Sequence, residues 1–101
     1  MPGAISITIS RSESDNRGRY DAQVEGREGS GELTYTRPSP DRLVAYHTGV
    51  DKSLRGNGVG KALVVRLVED ARAEGRTIVP QCPFIKALYD ENPDWADVMD
   101  R

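Results

Sequence analysis

The rhythm of hydrophobic and polar positions changes once along this chain. The change divides it into a strand-like first half and a helix-bearing second half. Ile5-Ser6-Ile7-Thr8-Ile9-Ser10 alternates apolar and polar with β-branched residues, the period of a half-buried strand. A polar stretch over 11–18 follows and ends at Gly18. Alternation resumes from Arg19 to Glu25 through Tyr20, Ala22 and Val24. Gly26-Arg27-Glu28-Gly29-Ser30-Gly31 has hairpin-turn chemistry, and Leu33 and Tyr35 mark the returning strand. That strand is expected to stop at Arg37-Pro38-Ser39-Pro40, because proline cannot donate to a ladder. Leu43 to Val50 reads as the next strand. Its nearly continuous apolar start, Leu43-Val44-Ala45-Tyr46, predicts cover on both faces.

The period then lengthens. Leu63, Val64, Leu67, Val68 and Ala71 form a helical stripe, with Glu69, Asp70, Arg72 and Glu74 off it and Gly75 in the position just past the helix end. A helix over Gly58 to Glu74 is predicted. Thr77 to Cys82 is a short strand, so the order strand, helix, strand implies a parallel pair with a right-handed crossover. Phe84 to Tyr89 reads as a short helix that Pro93 ends, with Trp95, Val98 and Met99 capping the core or forming a further turn. The fold class is α/β (α+β): a mixed sheet of antiparallel N-terminal strands joined to a parallel βαβ unit, in a single domain over residues 1–101.

Composition narrows the function classes. At 101 residues, 37% hydrophobic and 30% charged, an ordinary globular domain is expected. The net charge of −2, with Lys and Arg spread along the chain, argues against nucleic acid as a partner. Apolar runs are too short to span a membrane. Met1-Pro2-Gly3-Ala4 lacks the basic start and apolar stretch of a signal peptide, and the single cysteine, Cys82, allows no internal disulfide. A reduced, cytoplasmic protein with an available thiol is the expectation. No His/Cys/Asp/Glu group has metal-ligand spacing, so no metal is expected.

The sharpest chemistry lies at the strand-to-helix junction. Arg55-Gly56-Asn57-Gly58-Val59-Gly60-Lys61 combines an arginine, three glycines and the start of the helix. A helix N-terminus offers unpaired N–H groups and a partial positive charge, and glycine lets the backbone approach an anion closely. The spacing fails the dinucleotide pattern G-x-G-x-x-G. It also fails the P-loop pattern, since Arg55 stands for the first glycine and Ala62 for the Ser or Thr. A phosphate cradle at a helix end and a turn that merely starts a helix both remain open on these residues alone.

Val50-Asp51-Lys52-Ser53-Leu54-Arg55-Gly56-Asn57-Gly58-Val59-Gly60-Lys61-Ala62-Leu63 resembles the acetyl-CoA-binding motif of the GNAT superfamily of N-acetyltransferases: a strand ending in valine, a connector, [QR]-x-x-G-x-[GA] and an amphipathic helix. With His47-Thr48-x-Val50 before the loop and Cys82-Pro83-Phe84 after the next strand, the chain is similar to the minimal, single-domain YjdJ-type branch. The resemblance implies a sheet splayed around acetyl-CoA, with a short C-terminal helix. It places the pyrophosphate on backbone N–H groups of Arg55, Gly56, Asn57, Gly58, Val59, Gly60 and Lys61. The pantetheine arm would pair along the backbone of Thr48, Gly49 and Val50, with Val50 and Cys82 ending strands on the two sides of the split.

The same resemblance singles out side chains for chemistry. Cys82 would accept an acetyl group as a thiolate, or else is a small apolar filler. His47, the only histidine, would deprotonate an incoming ammonium, or else fixes its strand through a backbone bond. Tyr89 falls where related enzymes carry a tyrosine acid in N-x-x-A-x-x-x-Y, but Cys82 and Ile85 replace the Asn and Ala, and a packed tyrosine is the better reading. The implied activity is acetyl-CoA-dependent acetylation of an amine, such as a peptide or protein lysine or N-terminus. The competing implication is a non-catalytic acyl-CoA-binding module, whose sheet or acidic tail (Asp90, Glu91, Asp94, Asp97, Asp100) would meet a protein partner.

Overall fold

In a computed structural model of the chain, which describes residues 6–100, four strands follow one another before any long helix forms. They are β1 (Ile7–Glu13), β2 (Arg17–Val24), β3 (Ser30–Ser39) and β4 (Arg42–Val50), paired antiparallel in chain order. A 3-10 turn, Lys52–Leu54, leads to α1 (Val59–Glu74), and β5 (Thr77–Pro80) then pairs parallel with β4. A second helix, α2 (Pro83–Glu91), and a 3-10 segment, Pro93–Asp97, complete the chain. This is a mixed α+β architecture with five strands. The segment Met1–Ile5, on which the signal-peptide reading rests, lies outside the described residues.

The core follows from the alternation. Tyr20, Ala22 and Val24 of β2, Leu33 and Tyr35 of β3, and Leu43 and Ala45 of β4 are buried together with Leu63, Val64, Leu67, Val68 and Ala71 of α1. The Tyr20 and Tyr35 rings lie 6.0 Å apart at 44°, and their hydroxyls donate to Asp70 and Glu13. Burial raises both phenols above their ordinary range, which keeps them as donors. α1 starts after Gly58 and stops at Gly75, both in the left-handed region (φ 77° and 69°), as the sequence stripe predicts.

β3 stops at Ser39, within the expected Arg37–Pro40 segment; it passes through Pro38 because its register with β4 shifts between Thr36 and Ser39 and no ladder donor is demanded of the proline there. Two sequence expectations change. β4 is not covered on both faces: Leu43 and Ala45 are buried, while Tyr46 and His47 are exposed on the side away from α1. β5 ends at Pro80, so Cys82 caps α2 rather than ending the strand. At the far edge, Ile78 donates its N–H to Val98 O and accepts from the Asp100 N–H, so the C-terminal residues cover β5.

Candidate active site

The site begins where β4 and β5 part. Parallel pairing runs from Arg42–Thr77 to Ala45–Pro80 and stops. The Gln81 and Cys82 N–H groups both donate to Ala45 O, at 3.0 Å each, and the chain then turns into α2. β4 meanwhile continues to Val50 against β3. A bulge places both Tyr46 and His47 opposite Thr34, since Thr34 pairs with His47 and Tyr35 with Ala45. The Asp51 N–H donates to Ser30 O, so by antiparallel alternation Gly49 and His47 also face β3. The N–H and C=O groups of Thr48 and Val50 therefore face the side that β5 has left.

Beyond Val50 the chain is fastened at two points. Leu54 and Val59 are buried, and Arg55–Gly58 hangs between them. The β2–β3 turn braces this connector: Ser30 N–H donates to Asp51 Oδ2 at 3.0 Å and Arg27 donates to Ser53 O at 3.3 Å. Gly56 and Gly58 have φ of 86° and 77°, and a side chain added at either would meet nothing within 4 Å. The turn thus presents bare backbone to open space, in a conformation that glycine adopts without strain.

The hydrogen bonds show which N–H groups are available. Ala62 N–H, bonded to Gly58 O at 2.9 Å, is the first taken by the helix, so those of Val59, Gly60 and Lys61 precede it. Among the described residues, Gly56 and Gly58 also donate to no backbone carbonyl. Arg55 and Asn57 donate to Lys52 O and Leu54 O, and their N–H groups are spent on the turn. The Arg55 and Lys61 side chains are exposed and form no ion pair among the described residues.

These features share one open cleft of about 610 Å³. Of the candidate residues, Thr48, Gly49, Val50, Arg55, Gly56, Gly58, Val59, Gly60 and Lys61 line it, and Asn57 does not. Sequence reading did not assign Leu54, Phe84 and Leu88 to the cleft, though all three line it. The i, i+4 spacing of Phe84 and Leu88 on α2 was the available signal. An end rich in N–H groups and cations, continued by apolar walls and an open strand edge, suits a ligand with an anionic head and a thin extended arm. Coenzyme A has that form, and these residues fit it.

The two chemical candidates are placed differently. Cys82 is 6% exposed, does not line the cleft, and has Sγ 3.7 Å from Thr48 Oγ1. Thr48 stands at the cleft and Cys82 behind it. His47 lies on the open face of the sheet, its Nε2 3.1 Å from Glu32 Oε2. Glu32 was not singled out from sequence, although strand parity places it on the same face. Tyr89 is half-buried against the core. Among the described residues no group of three His, Cys, Asp or Glu can hold a metal ion.

Comparison with known proteins agrees with this architecture. The family model for the GCN5-related N-acetyl-transferase matches residues 19–98. The solution structure of a GCN5-like protein from Staphylococcus aureus, an N-acetyltransferase candidate, superposes with a TM-score of 0.62 at 27% sequence identity, covering 90% of this chain and 87% of that one. No protein of curated function matches. The matched span takes in most of β2 and all that follows through the C-terminal 3-10 segment, and so the whole of the cleft, and this chain belongs to the GCN5-related N-acetyltransferase family.

Proposed function

We propose that this protein transfers the acetyl group of acetyl-CoA to an amine of a peptide or protein. One observation carries the reading: the glycine turn that opens α1 and the β4 edge left open beyond Ala45 line the same cleft. In this reading the N–H groups of Gly56, Gly58, Val59, Gly60 and Lys61 hold the pyrophosphate, with Arg55 and Lys61 adding charge. The Thr48 and Val50 backbone pairs with the pantetheine arm as an added strand would. Acetyl-CoA supplies an acyl group activated as a thioester.

The amine arrives as ammonium and must lose a proton. His47 is suited to take it: the Glu32 carboxylate holds one ring nitrogen and leaves the other for the incoming group. Two routes then reach the same products. In one, the amine attacks the thioester carbonyl and CoA leaves as the thiol. In the other, the Cys82 thiolate takes the acetyl group first, releases CoA and passes the group to the amine. The burial of Cys82 behind Thr48 favours the direct route. Mass spectrometry after incubation with acetyl-CoA tests both: an acetylated lysine peptide supports transfer, and acetylated Cys82 in the absence of amine supports the relay. Neither product, with acetyl-CoA recovered intact, would sink the reading.

A second reading, a non-catalytic acyl-CoA-binding module, is favoured by one fact: neither Cys82 nor His47 lines the cleft. The acidic tail gives it less support, since Asp97 pairs with Arg72 and Asp100 with Arg42.

A further inference from the structure

One face of the sheet carries α1. On the opposite face a second groove, of about 420 Å³, is lined by Ser12, Glu13, Ser14, Arg17, Arg19, Thr34 and Tyr46 among others, the Glu13 carboxylate being already held by Arg76 and Arg37. It follows a row set by the register: Ser12 opposite Arg19, Arg19 opposite Thr34, Thr34 opposite His47. The row crosses four strands and ends beside the split between β4 and β5. The groove and the cleft thus approach the same split from opposite faces.

Three features of this groove have no structural use within the chain. Thr34 Oγ1 is closed off from water and has no hydrogen-bond partner, unusual for a buried hydroxyl. Arg17 forms no ion pair among the described residues, whereas Arg19 is held by Asp21 at 2.7 Å with Glu32 at 3.6 Å. Tyr46, raised by the bulge, is 45% exposed, while Tyr20 and Tyr35 of the same sheet are buried.

We propose that this groove binds the acceptor polypeptide and reads an acidic side chain near the amine to be acetylated. The proposal rests on the acetyltransferase reading for the identity of that amine. Arg17 offers a fork that a single carboxylate fills, and Ser12 and Ser14 offer hydroxyls to a peptide backbone. One free guanidinium, with Asp21 and Glu32 on the same face, suits a carboxylate and disfavours a polyphosphate chain. β2 lies two strand spacings, about 10 Å, from β4. That is the reach of about three extended residues, so the acidic residue stands about three positions from the reacting lysine.

The test is an NMR titration of the isotope-labelled protein with two short peptides. One carries aspartate three residues before a lysine; the other has alanine in its place. The acidic peptide should shift the amides of Arg17, Arg19, Thr34 and Tyr46. It should bind about two- to fivefold more tightly than the neutral one, the ratio expected of one exposed charge-assisted pair. Arg17→Glu, an exposed change, should erase that preference, and Arg17→Lys should keep part of it. Equal binding of the two peptides, shifts confined to other surfaces, or a preference that survives Arg17→Glu would overturn the proposal. A protein that does not bind acetyl-CoA but still prefers the acidic peptide overturns the acetyltransferase reading alone. One that binds acetyl-CoA and treats both peptides alike overturns the groove alone.

Discussion

Cys82 Sγ and Thr48 Oγ1 meet at 3.7 Å across the gap where β4 and β5 separate. One residue of the pair faces the cleft and the other does not. The threonine therefore screens the thiol. Thr48→Ala should expose Cys82 and raise its alkylation rate by iodoacetamide at least about tenfold, since thiol reactivity follows access as well as ionisation. An unchanged rate would mean that something other than Thr48 shields the sulfur.

Cys82→Ala asks what the thiol does. If the relay route operates, turnover should fall at least about tenfold, roughly 1.4 kcal/mol of barrier, with acetyl-CoA affinity unchanged. Full activity would make Cys82 a packing residue and leave direct attack by the amine.

The end of the sheet far from the cleft carries a pH-sensitive contact. Glu13 is held by Arg76 at 2.8 Å, by Arg37 at 3.5 Å and by the Tyr35 hydroxyl. The Arg76 hydrogen bond is the main reason its carboxyl falls from 4.5 to about 2. A folded-state value below the unfolded one means that stability is fully present above pH 4.5 and is lost as pH falls toward about 2. Glu13→Gln should cost about 1.5–3 kcal/mol at neutral pH, the range for a hydrogen bond to a charged group. In urea unfolding that difference should shrink steadily below pH 4.5. A difference that stays constant down to pH 2 would contradict the assignment.

Gly31 marks how tightly α1 sits on the sheet. A methyl group there would fall 2.8 Å from Val59 Cγ1 and 3.3 Å from Leu63 Cδ1. Gly31→Ala should destabilise by about 1–3 kcal/mol through overpacking. Because Val59 anchors the turn, acetyl-CoA affinity should fall as well. A wild-type melting temperature would show that the helix start is free to move.

Much of this was legible in the chain. The stripe from Leu63 to Ala71 and the flanking glycines located α1, because helix period and cap chemistry are local. The glycine turn was legible for the same reason. The path through Pro38 was not, since it depends on a register shift between two strands. The exposure of Tyr46 and His47 was hidden too. A bulge reverses side-chain parity, and Leu43-Val44-Ala45-Tyr46 read as a strand buried on both faces. The partners Glu32 and Thr48 required the register of β3 on β4 and the end of β5, both set by distant pairing. Which N–H groups in the loop remain available also depended on the 3-10 turn, which spends those of Arg55 and Asn57.

The most direct measurement is isothermal calorimetry of acetyl-CoA with the wild-type protein and with Gly58→Asp. Aspartate tolerates the left-handed backbone at Gly58 better than most residues, so the fold should survive at a cost of about 1–2 kcal/mol. Its carboxylate would stand where the pyrophosphate is placed. The expected result is saturable heat with the wild type and none with Gly58→Asp, whose circular dichroism stays unchanged. No binding by the wild type, or equal binding by a folded Gly58→Asp, would contradict the assignment of the turn.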